Sequence, residues 1–254
     1  MSKIVITGSA SGIGREVAKK LSDSGHEIIS IDLRDADIIA DLSTSEGRQK
    51  AIADTLEKTG SEIDILITAA GMGGHLADGK LVMIVNYFGT VELLDGFFPA
   101  MKGRAGAAAL ALSSNSAQMG VDPENELVKA LLAHDEQAAI DVVGDMPSAA
   151  TYGLSKHAVA RAVRRRAHEW GTAGVRLNAI APGMTETPML QGVRDNPDLK
   201  GALENIPVPL DRTANVDEIA NIIVMMVSEA FSFMHGSVLY VDGGTDAVVR
   251  PDQF

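Results

Sequence analysis

The sequence predicts an α/β fold in one domain, with a doubly wound parallel sheet and helices on both faces. Three observations carry this expectation. Short apolar runs rich in β-branched residues recur between helix-patterned segments along the whole chain. The first of these runs leads through a glycine-rich turn into an amphipathic segment. Finally, 254 residues with 46% hydrophobic content suffice for a large buried core, and no linker, repeat or low-complexity tract divides them.

The elements follow in order. Lys3–Thr7 is a short buried strand. Gly8-Ser9-Ala10-Ser11-Gly12-Ile13-Gly14 comes next, and then Val17, Ala18 and Leu21 fall at helical spacing. Strand, glycine turn and helix together set a phosphate against a helix N-terminus, and the glycines allow the tight turn and the close backbone approach. No Gly-Lys-Ser/Thr follows, so the P-loop alternative is poor. The second strand, Glu27–Asp32, ends in an acid 20 residues beyond Gly12. At that position Asp32 would bind the adenosine ribose hydroxyls and repel a 2′-phosphate, which argues for NAD over NADP, with Arg34 close enough to soften the preference. Further strands are expected at 37–40, 63–68, 107–113, 176–181 and 237–241, and helices at 45–59, 80–99, 151–170 and 217–227.

Two stretches break the rhythm. Residues 120–150 far exceed a simple strand-to-helix connection and read as a helical insertion, with pieces at 124–133 and 135–143 and with Pro123 and Asp135 as starts. Residues 183–212 carry Pro188, Pro197, Pro207 and Pro209 and read as a long, partly ordered loop at the end of the sheet where such folds bind ligands.

Composition narrows the function. The chain has no cysteine, which removes disulfides, thiolate chemistry and cysteine-based zinc sites and fits a reducing, cytoplasmic setting. No basic or signal-like stretch precedes the first strand, and no apolar segment is expected to approach a membrane span. A net charge of −12 argues against nucleic acid as a partner. Arg161, Arg164, Arg165 and Arg166 read as a solvated or subunit-facing side of one helix. The six histidines show no ligand spacing, so no metal is expected.

Tyr152 and Lys156 stand four residues apart in a helix-patterned run, a spacing that puts both on one face. A cation fixed beside the phenol favours phenolate and makes the tyrosine a proton donor and acceptor near neutrality.

Taken in order, these motifs resemble the short-chain dehydrogenase/reductase family over the full length. They are Thr7 to Gly14, Asp32, Asp41-Leu42, Ala69-Ala70-Gly71, Asn86, Ser113-Ser114, Tyr152 with Lys156, Pro182-Gly183 with Thr185, and Asp242-Gly243-Gly244. The resemblance implies a Rossmann-type sheet of about seven strands and an enzyme that moves a hydride between NAD(H) and an alcohol or ketone. It implies catalytic roles for Ser114 (substrate oxygen), Tyr152 (proton), Lys156 (tyrosine pKa and nicotinamide ribose) and Asn86 (a water linking Lys156 to solvent). On sequence alone Ser113 and Ser114 are not distinguished. It further implies cofactor contacts from Gly8, Ser11, Gly12, Ile13, Gly14, Asp32, Asp41, Leu42, Ala70, Gly71, Pro182, Gly183 and Thr185. The run Thr68-Ala69-Ala70-Gly71 lacks the asparagine common in the family before Ala-Gly, which touches adenine-side contacts and not activity.

Met184, Met189 and Leu190 in the 183–212 stretch, with Met72 and Met119 after two strands, suggest an adaptable apolar substrate surface. The insertion, the tail from Asp242 to Phe254 and Asn86-Tyr87-Phe88-Gly89 are similar to the bacterial 3α-hydroxysteroid dehydrogenase/carbonyl reductase branch. That branch implies a lipophilic secondary alcohol or ketone, a 3α-hydroxysteroid first, with monocyclic terpene alcohols or broad carbonyl reduction as alternatives. A catalytically silent NAD-binding regulator is the competing class, and the presence of Ser, Tyr, Lys and Asn speaks against it. A homodimer or homotetramer is expected, assembled without the usual helix-bundle interface because the insertion would cover it.

Overall fold

The computed structural model describes residues 1–253, apart from the side chains of Lys200 and Ala202. Seven strands form one sheet: β1 (Lys3–Thr7), β2 (Glu27–Asp32), β3 (Ile38–Ile39), β4 (Ile65–Thr68), β5 (Ala108–Leu112), β6 (Arg176–Pro182) and β7 (Val238–Val241). All neighbours are parallel in the order β3-β2-β1-β4-β5-β6-β7. The order reverses between β1 and β4, and the crevice outside the carboxyl ends of these two strands is where open sheets of this kind take ligands.

The central strands are apolar on both faces because helices cover both. On one face α1 (Gly12–Asp23) and α10 (Val216–Val227) bury Val17, Ile219 and Ile223 against Ile4, Ile6 and Ile67. On the other, α2 (Ser45–Thr59), α4 (Gly89–Met101) and α7 (Ser148–Thr172) pack Ala51, Phe97, Phe98 and Trp170 over Val5, Leu66 and Leu177. Phe98 and Trp170 stack with centroids 4.4 Å apart.

The helix at 79–101 departs from expectation twice. It is built from α3 (Gly79–Met83), a π-helical turn (Ile84–Phe88) and α4. By length and composition it also reaches the size of a membrane span, contrary to the expectation that no segment would. Its apolar character has another cause: most of it is buried between the sheet, α2 and α7.

The insertion folds as α5 (Glu126–Leu132) and α6 (Glu136–Val143). Asp135 caps α6 by accepting from Ala138 N, as expected, whereas α5 starts from an Asn125 cap and not at Pro123. Leu127, Val128, Leu131 and Ala139 are fully buried in the core that contains α4 and α7. Arg48, 1% exposed, donates from α2 to Glu92 on α4 (2.8 Å) and to Glu136 on α6 (2.5 Å), tying the insertion to the domain.

Residues 183–212 are more regular than a loop. Pro188 and Pro197 each open a helix, α8 (Pro188–Asp195) and α9 (Pro197–Glu204). A proline at the first helical position loses no hydrogen bond and comes with a suitable φ, so these prolines are starts and not breakers. The tail forms a short α11 (Thr245–Val249); its last residue, Phe254, lies outside the described residues.

Candidate active site

The carboxyl ends of β1, β4, β5 and β6 converge on one cleft. At β1, Gly8 has φ +70°, and a Cβ there would sit 2.5 Å from Ala70 N; one on Gly14 would sit 2.2 Å from Gly8 O. The turn is therefore pressed flat on the end of β4, where Ala70 N also donates to Thr7 Oγ1 (3.0 Å). Ser11, at the N-cap of α1, makes no side-chain capping bond, so the first-turn N–H groups face outward as an anion cradle. Ile13 packs partly buried behind them. Ser9 Oγ is buried in the same turn without a partner among the described residues. Asp32 lies at the end of β2 with Oδ2 accepting from Ala10 N (2.9 Å) and Oδ1 from Leu33 N (2.7 Å). It thus braces the glycine turn as well as offering a carboxylate to a ribose. The cradle, the orphaned hydroxyl and the acid suit a dinucleotide.

The other cofactor candidates fall along the same edge. Asp41 is exposed and holds its own turn, accepting from Ser43 N (2.9 Å), and Leu42 is buried beside Gly89. Pro182 ends β6. Gly183 allows contact with β7, since a Cβ there would lie 2.7 Å from Asp242 Cα. Thr185, 5% exposed, donates to Gly183 O (3.0 Å).

At β5 the two serines separate. Ser113 Oγ donates to the Lys156 carbonyl (2.8 Å) and faces the backbone of α7. Ser114 Oγ instead accepts from Ser116 N (3.2 Å) and Ser116 Oγ (2.8 Å), and it lies near enough to the Tyr152 phenol to lower its pKa. Burial pushes the Tyr152 pKa up, and the nearby Ser114 hydroxyl partly opposes that rise.

Lys156 has a partner that the helix spacing alone does not reveal. Its side chain, 4% exposed, runs to the end of β5 and donates to Leu112 O (2.8 Å). Loss of hydration pulls its pKa down to about 8. The i, i+4 spacing puts both residues on one helix face, and from there the lysine donates to a strand carbonyl. Near Lys156, a Cβ on Gly71 would lie 3.4 Å from its Nζ and 2.9 Å from Asn86 Oδ1. Asn86 sits in the π-helical turn, accepting from Met72 N (2.8 Å) and donating to Met72 O (3.0 Å). Such a turn widens the helix locally and presents a side chain that a regular helix would aim elsewhere.

Of the substrate candidates, Met189 on α8 packs on the turn after β4, with its Cγ 2.8 Å from where a Cβ of Gly73 would be. Met72 and Met119 lie half-buried at the ends of the β4 and β5 turns, and Leu190 is buried beneath α8. Met184 is set apart: it lines a small cavity of about 90 Å³ with Val208, Leu210, Ile219 and Val241, beside α10.

The short chain dehydrogenase family model matches residues 2–124, and the model described as enoyl-(acyl carrier protein) reductase matches residues 137–246. The chain is 45% identical to the 3-alpha-hydroxysteroid dehydrogenase/carbonyl reductase of Comamonas testosteroni, over the full length of both. The chain belongs to the short-chain dehydrogenase family. This oxidoreductase also superposes on the 3-alpha-hydroxysteroid dehydrogenase from Pseudomonas sp. B-0831, solved with NADH, with a TM-score of 0.97, 41% identity and complete coverage of both chains. A more distant relative is a galactitol 2-dehydrogenase (L-tagatose-forming) of Cereibacter sphaeroides, 29% identical over 94% of this chain and 92% of that one.

Three roles at the dehydrogenase site escaped the sequence reading. Ser113 anchors the helix backbone at Lys156. His157 binds Ala117 O through Nδ1 (2.8 Å), which fixes the proton on that nitrogen and ties α7 to the turn after Ser114. Burial lowers its pKa. Thr187 caps α8 by accepting from Leu190 N, and its Cγ2 lies 3.6 Å from where a Gly12 Cβ would be, so α8 starts directly over the glycine turn. Only the last had a readable signal, a threonine before Pro188.

Proposed function

We propose that this dehydrogenase interconverts a lipophilic cyclic secondary alcohol and its ketone with NAD(H), a 3α-hydroxysteroid being the substrate class of choice. The observation that carries the reading is the Ser114–Tyr152 hydroxyl pair at the end of β5. It shares the sheet edge that carries the glycine cradle, in a chain alike end to end to hydroxysteroid dehydrogenases. When bound, NAD(H) supplies or accepts the electron pair and the hydrogen on carbon. Gly8, Gly12, Gly14 and the first turn of α1 would hold its pyrophosphate, and Asp32 would take the adenosine ribose and disfavour a 2′-phosphate.

The two directions make different demands on Tyr152. For ketone reduction its raised pKa keeps the phenol protonated, ready to donate to the developing alkoxide. Ser114 Oγ supplies the second hydrogen bond to that oxygen, a donor worth about 3 kcal/mol when preorganised. For alcohol oxidation the phenol must lose its proton first. Lys156, on the same helix face, would hold the nicotinamide ribose and favour the phenolate by its charge, and Asn86 would hold the proton path at the Met72 turn. Met72, Met119, Met189 and Leu190 form the apolar wall.

The test is NAD⁺ reduction followed at 340 nm with a 3α-hydroxysteroid, monocyclic terpene alcohols and a short aliphatic alcohol, with NADP⁺ as control. Turnover of the steroid well above the others is expected. An inert steroid beside an active terpene alcohol would move the substrate to a smaller ring, and no NADH from any alcohol would sink the enzymatic reading.

The enzyme is further proposed to be a cytoplasmic homo-oligomer whose contacts avoid the α4–α7 face, because α5 and α6 bury their apolar sides there. A crosslinking map placing α4 and α7 of two copies together would refute this.

A further inference from the structure

The turn after β4 carries Gly73, Gly74 and His75, and each meets a different part of the site. At Gly74 the backbone abuts the first turn of α7: a Cβ there would lie 2.7 Å from Ala149 Cα, three residues before Tyr152. At His75 the imidazole is gripped from two sides. A Cβ on Gly73 would sit 2.6 Å from its Nδ1, and a Cβ on Gly192 of α8 would sit 2.5 Å from its Nε2. The ring therefore fills a notch that exists only because both positions are glycine. Among the described residues Nδ1 is buried without a hydrogen-bond partner, so the ring is held there by shape. Asn196, at the end of α8, adds a bond from Nδ2 to His75 O (3.2 Å).

We propose that His75 is a positioning and specificity residue: its ring is the spacer that sets α8, and with it Met189, at a fixed distance from Tyr152. The chain of contacts runs from α7 through Gly74 to His75, and from the ring to Gly192. Thinning the ring lets α8 settle or sway. Adding a methyl at Gly192 lifts α8 or expels the ring. Both disturb the apolar wall while leaving Ser114, Tyr152 and the glycine cradle in place. The specificity part rests on the reading of α8 as the substrate cover given above.

The experiment compares His75→Ala, Gly192→Ala and the double variant. Hydrogen exchange is measured across Pro188–Glu204 and steady-state kinetics with the best alcohol of the panel. Each single variant is expected to raise the alcohol KM by about tenfold, with kcat changed less than about threefold and the NAD⁺ KM unchanged. Exchange in α8 should quicken in both. In the double variant the methyl added at Gly192 finds the space left by the ring, so its KM and exchange should be milder than the two effects combined. Wild-type exchange and KM in His75→Ala would overturn the proposal, as would strictly additive effects in the double variant. If His75→Ala does not fold, Gly192→Ala alone decides, since α8 is half-exposed and its methyl must act through the ring. Should the wild-type enzyme oxidise no alcohol, the functional reading fails, yet the exchange data still test the spacer.

Discussion

Replacing Lys156 with methionine should make the free enzyme more stable while removing its activity. The ammonium is 4% exposed and has one partner among the described residues, Leu112 O at 2.8 Å. Its pKa falls from 10.5 to about 8, and at about 1.4 kcal/mol per pH unit the charged form costs the fold about 3 kcal/mol. Methionine keeps the length, removes the charge and forfeits the hydrogen bond, which offsets about 1 kcal/mol. The net expectation is about 2 kcal/mol of added stability at pH 7, or a Tm rise of about 6 °C for a domain of this size. The sign follows from proton counting. Between about pH 8 and 10.5 the unfolded lysine is protonated and the folded one is not, so wild-type stability rises with pH across that window. The advantage of the variant should therefore be full below pH 8 and shrink steadily above it. Urea unfolding at pH 7.0 and pH 9.5 measures both. A variant less stable at pH 7, or a gap that does not change with pH, would refute the argument. With saturating NADH the order should reverse, because the wild-type ammonium then gains the ribose hydroxyls.

Further outcomes follow from the same geometry. Gly8→Ala imposes a left-handed φ on alanine and drives a methyl into Ala70 N, so NADH fluorescence titration should give a Kd at least about tenfold higher. Ser114→Ala should lower kcat by about 10²–10³-fold, whereas Ser113→Ala should lower stability by about 1 kcal/mol and largely spare kcat; equal kcat losses would undo the assignment. Asp32→Ala should reduce the preference for NAD⁺ over NADP⁺ by at least about tenfold in kcat/KM and loosen the turn that Ala10 N anchors. Arg48→Ala should cost about 3 kcal/mol in urea unfolding, because Glu92 and Glu136 are left half-buried without their shared cation, and hydrogen exchange should then rise first in α6.

What the sequence by itself determined was the order of elements and the chemistry of the cleft. Periodicity located the seven strands and α2, α7 and α10 to within a few residues, because a sheet covered on both faces demands continuous apolar strands and one-sided helices. The glycine turn, Asp32, Tyr152 and Lys156 were legible because tight backbone approach and proton transfer each restrict the residue types that serve. Tertiary structure decided what depends on distance between segments remote in the chain. It turned Ser113 to the α7 backbone and Ser114 to the phenol, a choice that two adjacent serines do not express locally. It gave the Lys156 ammonium Leu112 O as an acceptor, because a long side chain finds a buried carbonyl that helix spacing alone does not name. The π-helical turn at Asn86, the two helices opened by Pro188 and Pro197, and the seat of His75 between Gly73 and Gly192 likewise arise from packing. In each of these the conformation is selected by a neighbour from another part of the chain, and no window of local sequence contains that neighbour.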